Sequence, residues 1–175
     1  MKNLQITFGS SKKGYGTFTD ILGNNYEGQI ENNLPNGYGK LNQPDGGKYF
    51  GMYKNGMKEG QGKYTWSNGS SYDGEWKNGE PNGYGTYIYS NEGTYVGELV
   101  DGKKNGRGKH TYEDGRIFKG EFKLDQPNGK GVIIYPDGDW LEVFMLNGNL
   151  IYTSPNTQKD KESLDEIYNE QKVVL

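Results

Sequence analysis

A glycine pair returns along this chain at one fixed interval, as Gly14-Tyr-Gly16, Gly37-Tyr-Gly39, Gly60-Gln-Gly62, Gly83-Tyr-Gly85, Gly106-Arg-Gly108 and Gly129-Lys-Gly131, each step 23 residues without insertion. A short fixed period marks a repeat array, whose units cannot bury their apolar faces alone and are completed by their neighbours. A second track keeps the same register: Tyr26 with Gly28, Tyr49 with Gly51, Tyr72 with Gly74, Tyr95 with Gly97, and Phe118 with Gly120. Two residues beyond each of these glycines stands Ile30, Tyr53, Trp76, Leu99 or Phe122. Spacing by two places aromatic, glycine and apolar residue on one face of a strand, and Asp73, Glu75 and Lys77 on the other.

The glycine pair is read as opening a second strand. Phe18, Leu41, Tyr64, Tyr87, His110 and Ile133 fill one of its slots, and Asp20, Gln43, Trp66, Tyr89, Tyr112 and Tyr135 fill the slot two further on. Asn55-Gly56 and Asn78-Gly79, followed by charged or Pro-containing stretches such as Glu80-Pro81, supply a reversal between the strands. Asn and Gly adopt positive φ at little cost. A second reversal at Asp45-Gly46, Asn68-Gly69, Asp114-Gly115 and Asp137-Gly138 leads into the next unit. One unit is therefore a β-hairpin, and six laid side by side would span roughly 55 to 60 Å. Glycine inside a strand costs entropy, so its regular placement needs a reason: a bare Cα is where a ring can lie flat or a backbone can approach.

Only 31% of the residues are hydrophobic, although three Trp, fifteen Tyr and six Phe are present. That composition excludes a thick two-layer core. It points to an all-β, elongated, single-layer twisted antiparallel sheet with an aromatic, partly wet face and a polar face. The chain divides into an N-terminal cap strand at 1–13 around Leu4–Phe8, the array at 14–148, and a linker with a short C-terminal amphipathic helix at 149–175. In the last unit Leu141, Val143 and Met145 replace the aromatic, glycine and apolar slots, as expected of a terminal cap. Beyond Thr153, glycine vanishes, and Leu164, Ile167, Tyr168, Gln171 and Leu175 fall along one helical face, with Leu164, Ile167 and Tyr168 as the docking residues.

The chain lacks cysteine and has a net charge of −3. Thiolate chemistry is excluded, and nucleic acid is not expected as a partner. No secretory signal or bilayer-spanning run is read, so an intracellular, soluble protein is expected. His110 is the only histidine, which leaves neither a transition-metal site nor a nucleophilic triad to be built, and no cofactor is expected. His110 is assigned to packing and Asp137-Gly-Asp139 to turn chemistry rather than calcium. Lys103, Lys104, Arg107 and Lys109 form one basic cluster, read as a solvated turn with headgroup binding as the sharper option.

The pattern in Tyr72-Asp-Gly-Glu-Trp-Lys-Asn-Gly79, followed by Gly83-Tyr-Gly-Thr-Tyr87, resembles the MORN repeat, over about residues 14–148. The resemblance implies a twisted hairpin array with an aromatic-lined groove and a role in docking or membrane apposition rather than a reaction. Short freestanding arrays are similar to radial spoke head and cytoskeletal scaffold members. The resemblance thus leads us to expect a non-catalytic structural subunit, cytoplasmic and belonging to a large cytoskeletal or ciliary axonemal assembly, binding protein partners through Tyr53, Trp66, Trp76, Tyr89, Tyr112 and Tyr135. A homodimer through a sheet edge is a further expectation. The alternative is a peripheral membrane adaptor for phosphoinositide headgroups.

Overall fold

Two kinds of turn alternate along the chain, and each follows from the residues at its tip. In the computed structural model, which describes residues 13–153, Asn55 and Gly56 both hold positive φ, at 50° and 84°, as do Asn78 with Gly79, Asp101 with Gly102 and Asn147 with Gly148. Two successive left-handed residues make the type I′ reversal, whose twist matches that of paired strands. The other turn closes through a side chain. Asn68 Oδ1 accepts from the Ser70 N–H at 3.0 Å, and Asp45, Asp114 and Asp137 accept from the N–H groups of Gly47, Arg116 and Asp139. The Asp137-Gly-Asp139 step is thus a turn of the same build as its counterparts.

These turns join thirteen strands: β1 (Lys13–Thr19), β2 (Asn25–Glu31), β3 (Leu34–Asn42), β4 (Lys48–Lys54), β5 (Met57–Thr65), β6 (Ser71–Lys77), β7 (Glu80–Tyr89), β8 (Gly93–Val100), β9 (Lys103–Thr111), β10 (Ile117–Lys123), β11 (Gln126–Ile134), β12 (Trp140–Leu146) and β13 (Asn149–Thr153). They form one antiparallel sheet in sequence order, each strand paired only with its neighbours in the chain. Thirteen strands about 4.8 Å apart span roughly 58 Å. Strand β13 pairs with β12 through Val143 and Thr153, so the sheet continues over residues that the sequence pattern assigns to a linker. The expected cap strand at Leu4–Phe8 and the tail helix lie outside the described residues.

The glycine pair does not open the second strand of each unit, as the sequence suggested. Strand β7 starts three residues earlier, at Glu80, and takes in Pro81. The first glycine of the pair marks a β-bulge: the register slips between Gly74 and Trp76 opposite β7, and Gly83 holds φ 108°. Each hairpin repeats this bulge, with Gly37, Gly60, Gly106 and Gly129 at positive φ. An acidic or amide side chain on the opposite face closes it. Gln29 accepts from the Tyr38 N–H, Glu75 from Tyr84 and Glu98 from Arg107, which gives the Glu of the Gly-Glu-Trp signature a structural role.

The second glycine of the pair explains the packing. Gly74 and Gly85 are cross-strand partners, and a Cβ on Gly85 would lie 2.5 Å from the Tyr72 ring. The ring therefore lies across both glycines and donates its hydroxyl to the Glu75 carbonyl at 3.0 Å. Tyr26, Tyr49 and Tyr95 repeat the arrangement on Gln29, Met52 and Glu98. Phe118 keeps the ring and drops the hydroxyl. Consecutive units are locked edge to face, Tyr26 on Tyr53 at 5.3 Å, Tyr49 on Trp76 at 5.2 Å and Tyr95 on Phe122 at 5.1 Å. The core is thus a line of rings along one face of a single layer, buried by its neighbours in the same sheet rather than by a second layer.

Candidate protein-docking face

The aromatic face carries two rows that differ in burial, the second being sealed at Tyr64 and His110 and partly open elsewhere. The row from the first strand of each unit is the core itself: Tyr26, Tyr49, Tyr72, Tyr95 and Phe118 are at most 2% exposed, packed over Gly28, Gly51, Gly74, Gly97 and Gly120. Tyr53 and Trp76, expected in the partner groove, belong to this row, at 6% and 4% exposure. Trp76 Nε1 donates to the Gly62 carbonyl at 2.8 Å, which fixes the indole inward. Tyr53 presents a buried hydroxyl with no hydrogen-bond partner among the described residues. These two side chains have too little surface left to anchor a partner.

The row from the second strands is different. Trp66, Tyr89, Tyr112 and Tyr135 are half-buried, as is Tyr87, and four of these rings form a ladder completed by the buried His110, which lies 5.9 Å from Tyr89. Trp66 stacks on Tyr87 with centroids 5.1 Å apart and planes 20° from parallel, Tyr87 stacks on Tyr89 at 4.2 Å and 18°, and His110 lies 4.2 Å from Tyr112. Their inner edges rest on the core row and their outer edges face solvent. Rigid amphipathic rings of this kind give contact area at low entropic cost, which suits protein recognition.

Two lysines stand in the same face, and the sequence pointed to neither of them as such. The slot opposite Ile30, Tyr53, Trp76, Leu99 and Phe122 reads Pro35, Lys58, Pro81, Lys104 and Pro127, alternating between units. The Lys58 ammonium sits 4.2 Å from the Tyr64 centroid, 4.6 Å from Trp76 and 5.2 Å from Tyr49. Burial pulls its pKa down to about 8, with Glu80 opposing. Lys104 lies 4.6 Å from the Tyr89 centroid and 3.3 Å from His110 Nδ1. Burial lowers its pKa too, against the pull of Glu92 and Asp125.

Lys104, at 5% exposure, therefore leaves the basic cluster in which the sequence placed it. Register puts Arg107 and Lys109 on the opposite face, across from Glu121 and Lys119. His110 is a packing residue as expected, at 4% exposure, its Nε2 3.0 Å from the Glu92 carbonyl. Burial and the adjacent Lys104 hold it below the ordinary imidazole pKa. A neutral ring that accepts at Nδ1 from Lys104 and donates Nε2–H to Glu92 satisfies both contacts.

Chemically, this face can stack, donate from two ammonium groups and hydroxyls, and exclude water. Among the described residues no group of three or more His, Asp or Glu could hold a metal ion, and no helix is long and apolar enough to cross a membrane. No relative among curated proteins matches the chain. The MORN repeat pattern matches residues 26–48, 49–71, 72–94, 95–115 and 118–140. Such repeats are generally scaffold motifs that bind proteins or lipids, and proteins built from them are typically non-catalytic. Five consecutive matches and a glycine-ring core that repeats with them along one continuous sheet establish that the chain belongs to the MORN repeat family.

Proposed function

We propose that this protein is a non-catalytic scaffold subunit that holds a protein partner on the half-buried ring ladder of the aromatic face. The observation that carries the reading is the division of that face into a sealed row and a partly open row. Trp66, Tyr87, Tyr89 and Tyr112 stay half-buried where the architecture could have sealed them, and stacking already fixes their geometry. An extended segment or a helix of a partner laid along them would bury the remaining edges. Membership in a large cytoskeletal or axonemal assembly, in the cytoplasm or a cilium, is part of the proposal and rests on family resemblance alone.

The test is co-purification of the tagged full chain from native lysate, with the associated proteins identified by mass spectrometry and the complex sized by gel filtration. Trp66→Ala and Tyr112→Ala should each release the bound proteins, while Phe50→Ala on the opposite face, where Phe50 is 62% exposed, should not. Equal retention by all three variants would sink the aromatic face as the contact surface. The alternative, binding to phosphoinositide headgroups, draws on Lys103, Arg107 and Lys109. Flotation of the chain with anionic vesicles at low salt, lost on reversing those charges, would favour it instead.

A further inference from the structure

The repeat provides its own internal control for the face opposite the rings. Because each unit reuses the same slots, a slot can be followed from hairpin to hairpin. Glu75, Glu98 and Glu121 are followed 23 residues on by Phe144; Lys63, Thr86 and Lys109 by Val132; Lys77, Val100 and Lys123 by Leu146; and Ser71, Thr94 and Ile117 by Trp140. In these four slots the face is mostly polar through the middle of the array and apolar over the last three strands, whereas in other slots Tyr38, Phe50, Tyr84 and Ile88 are exposed earlier in the array.

The replaced residues cluster, with the exposed Glu142 set among them opposite Val132. Ile117 pairs with Ile134 and Ile134 with Trp140, Lys130 pairs with Phe144, and Phe144 stacks on Tyr152 with centroids 6.2 Å apart. None of them serves the ring core. Clustered apolar side chains on one side of a single-layer sheet are a surface built to be covered. Cations border the patch: Lys109 stands directly opposite Lys119, and Lys130 lies one strand further on. Acidic side chains laid along this rim would meet cations.

The occupant that matches is the segment that follows β13. From Asp160 onward the sequence supplies Leu164, Ile167 and Tyr168 at helical spacing, with Asp160, Glu162, Asp165, Glu166 and Glu170 among them. Residues 154–159 can bridge about 20 Å when extended, roughly the four strand steps of about 4.8 Å from β13 to β9. Residues 160–175 as a helix would be about 24 Å long. We infer that the acidic, amphipathic segment 160–175 folds back within its own chain onto the apolar patch of Ile117, Val132, Ile134, Trp140 and Phe144, its carboxylates over Lys109, Lys119 and Lys130. It would seal the last hairpin and shield the β13 edge, and leave the ring ladder on the other face open.

Zero-length carboxylate-to-amine cross-linking of the full chain tests this, read by mass spectrometry on an equal mixture of unlabelled and nitrogen-15-labelled protein. The expected result is links between Lys109, Lys119 or Lys130 and carboxylates from Asp160 to Glu170, within light chains and within heavy chains. Ile167→Asp, which alters no residue of the sheet, should cut their yield about tenfold or more by placing a charge in the apolar contact. Links from the tail to Lys58 or Lys104 would move the segment to the aromatic face, and light-to-heavy links would give the patch to a second copy. Either result, no tail links at all, or a yield that Ile167→Asp leaves unchanged overturns the inference.

Discussion

Gly85 shows how much one missing side chain decides in this protein. Its place across from Gly74 is where the Tyr72 ring lies, and a methyl there would meet ring atoms at 2.5 Å. Gly85→Ala should therefore destabilise the protein by about 2–3 kcal/mol, as overpacking of a tight site does, measurable as a fall in the urea midpoint. The hydroxyl of the same ring contributes less. Tyr72→Phe removes one hydrogen bond to the Glu75 carbonyl, costing about 1 kcal/mol, and Phe118 demonstrates that the slot accepts a bare ring.

Lys58 gives a pH signature of its own. Folded, it releases its proton near pH 8, against an ordinary 10.5 when unfolded. Between those values the unfolded chain binds more protons, so stability rises with pH. Tyr26 and Tyr72 act in the opposite sense: burial pushes them up to about 12 from 10.0, so the stability linked to them is present below pH 10 and lost as pH climbs through 12. The urea midpoint should therefore rise from about pH 8 to 10 and fall beyond it. Lys58→Met should flatten the rising limb, and parallel profiles for variant and parent would contradict the assignment.

Among the hairpins, the fifth is the one whose turn disagrees with its neighbours. The other type I′ turns of the described residues use Asn or Asp first and, after the first hairpin, Gly second, whereas this one is Leu124-Asp125, with Leu124 at φ 50° and 60% exposed. A leucine held in the left-handed region is strained by about 1–2 kcal/mol. Asp125 compensates through two hydrogen bonds to the preceding hairpin, its Oδ1 accepting from the Lys104 N–H at 2.9 Å and its own N–H donating to the Lys104 carbonyl. Leu124→Asn should thus raise stability by about 1 kcal/mol while Asp125 is kept. Gly56, Gly79, Gly102 and Gly148 bond in the same way to the carbonyls of Pro35, Lys58, Pro81 and Pro127, stitching each turn to the preceding hairpin. Proline fits in that slot because the stitch uses its carbonyl.

Across the whole molecule, strands pair only with their sequence neighbours, so stability is a sum over adjacent units rather than the property of one shared core. Phe122→Ala should then loosen the hairpins around β10 and leave β2–β5 protected, as hydrogen exchange followed strand by strand would show. A uniform loss of protection would mean that the array unfolds as a single unit instead. The same local build lets one face be a sealed ring core, an open ladder and a set of polar bulge caps at once, since each is assigned to its own slot in the 23-residue frame.

Sequence alone was enough for the period, the two turn positions, the antiparallel hairpins and the face on which the rings lie, because each depends on spacing by two and on residues that tolerate positive φ. Gly74 and Gly85 could even be read as ring seats. Burial could not be read that way. Trp76 and Trp66 look equally suited to a partner in the sequence, yet the edge-to-face contact with Tyr49 from the preceding unit seals one, and stacking on Tyr87 leaves the other half open. Lys104 looks like a member of a surface cluster until its packing beside Tyr89 and His110 is seen. The bulge at Gly106 shifts the register between Gly97 and Leu99 and brings Lys104 opposite Leu99, on the face of the rings. Local spacing sets which residues can share a face; contacts between units decide which of them water still reaches.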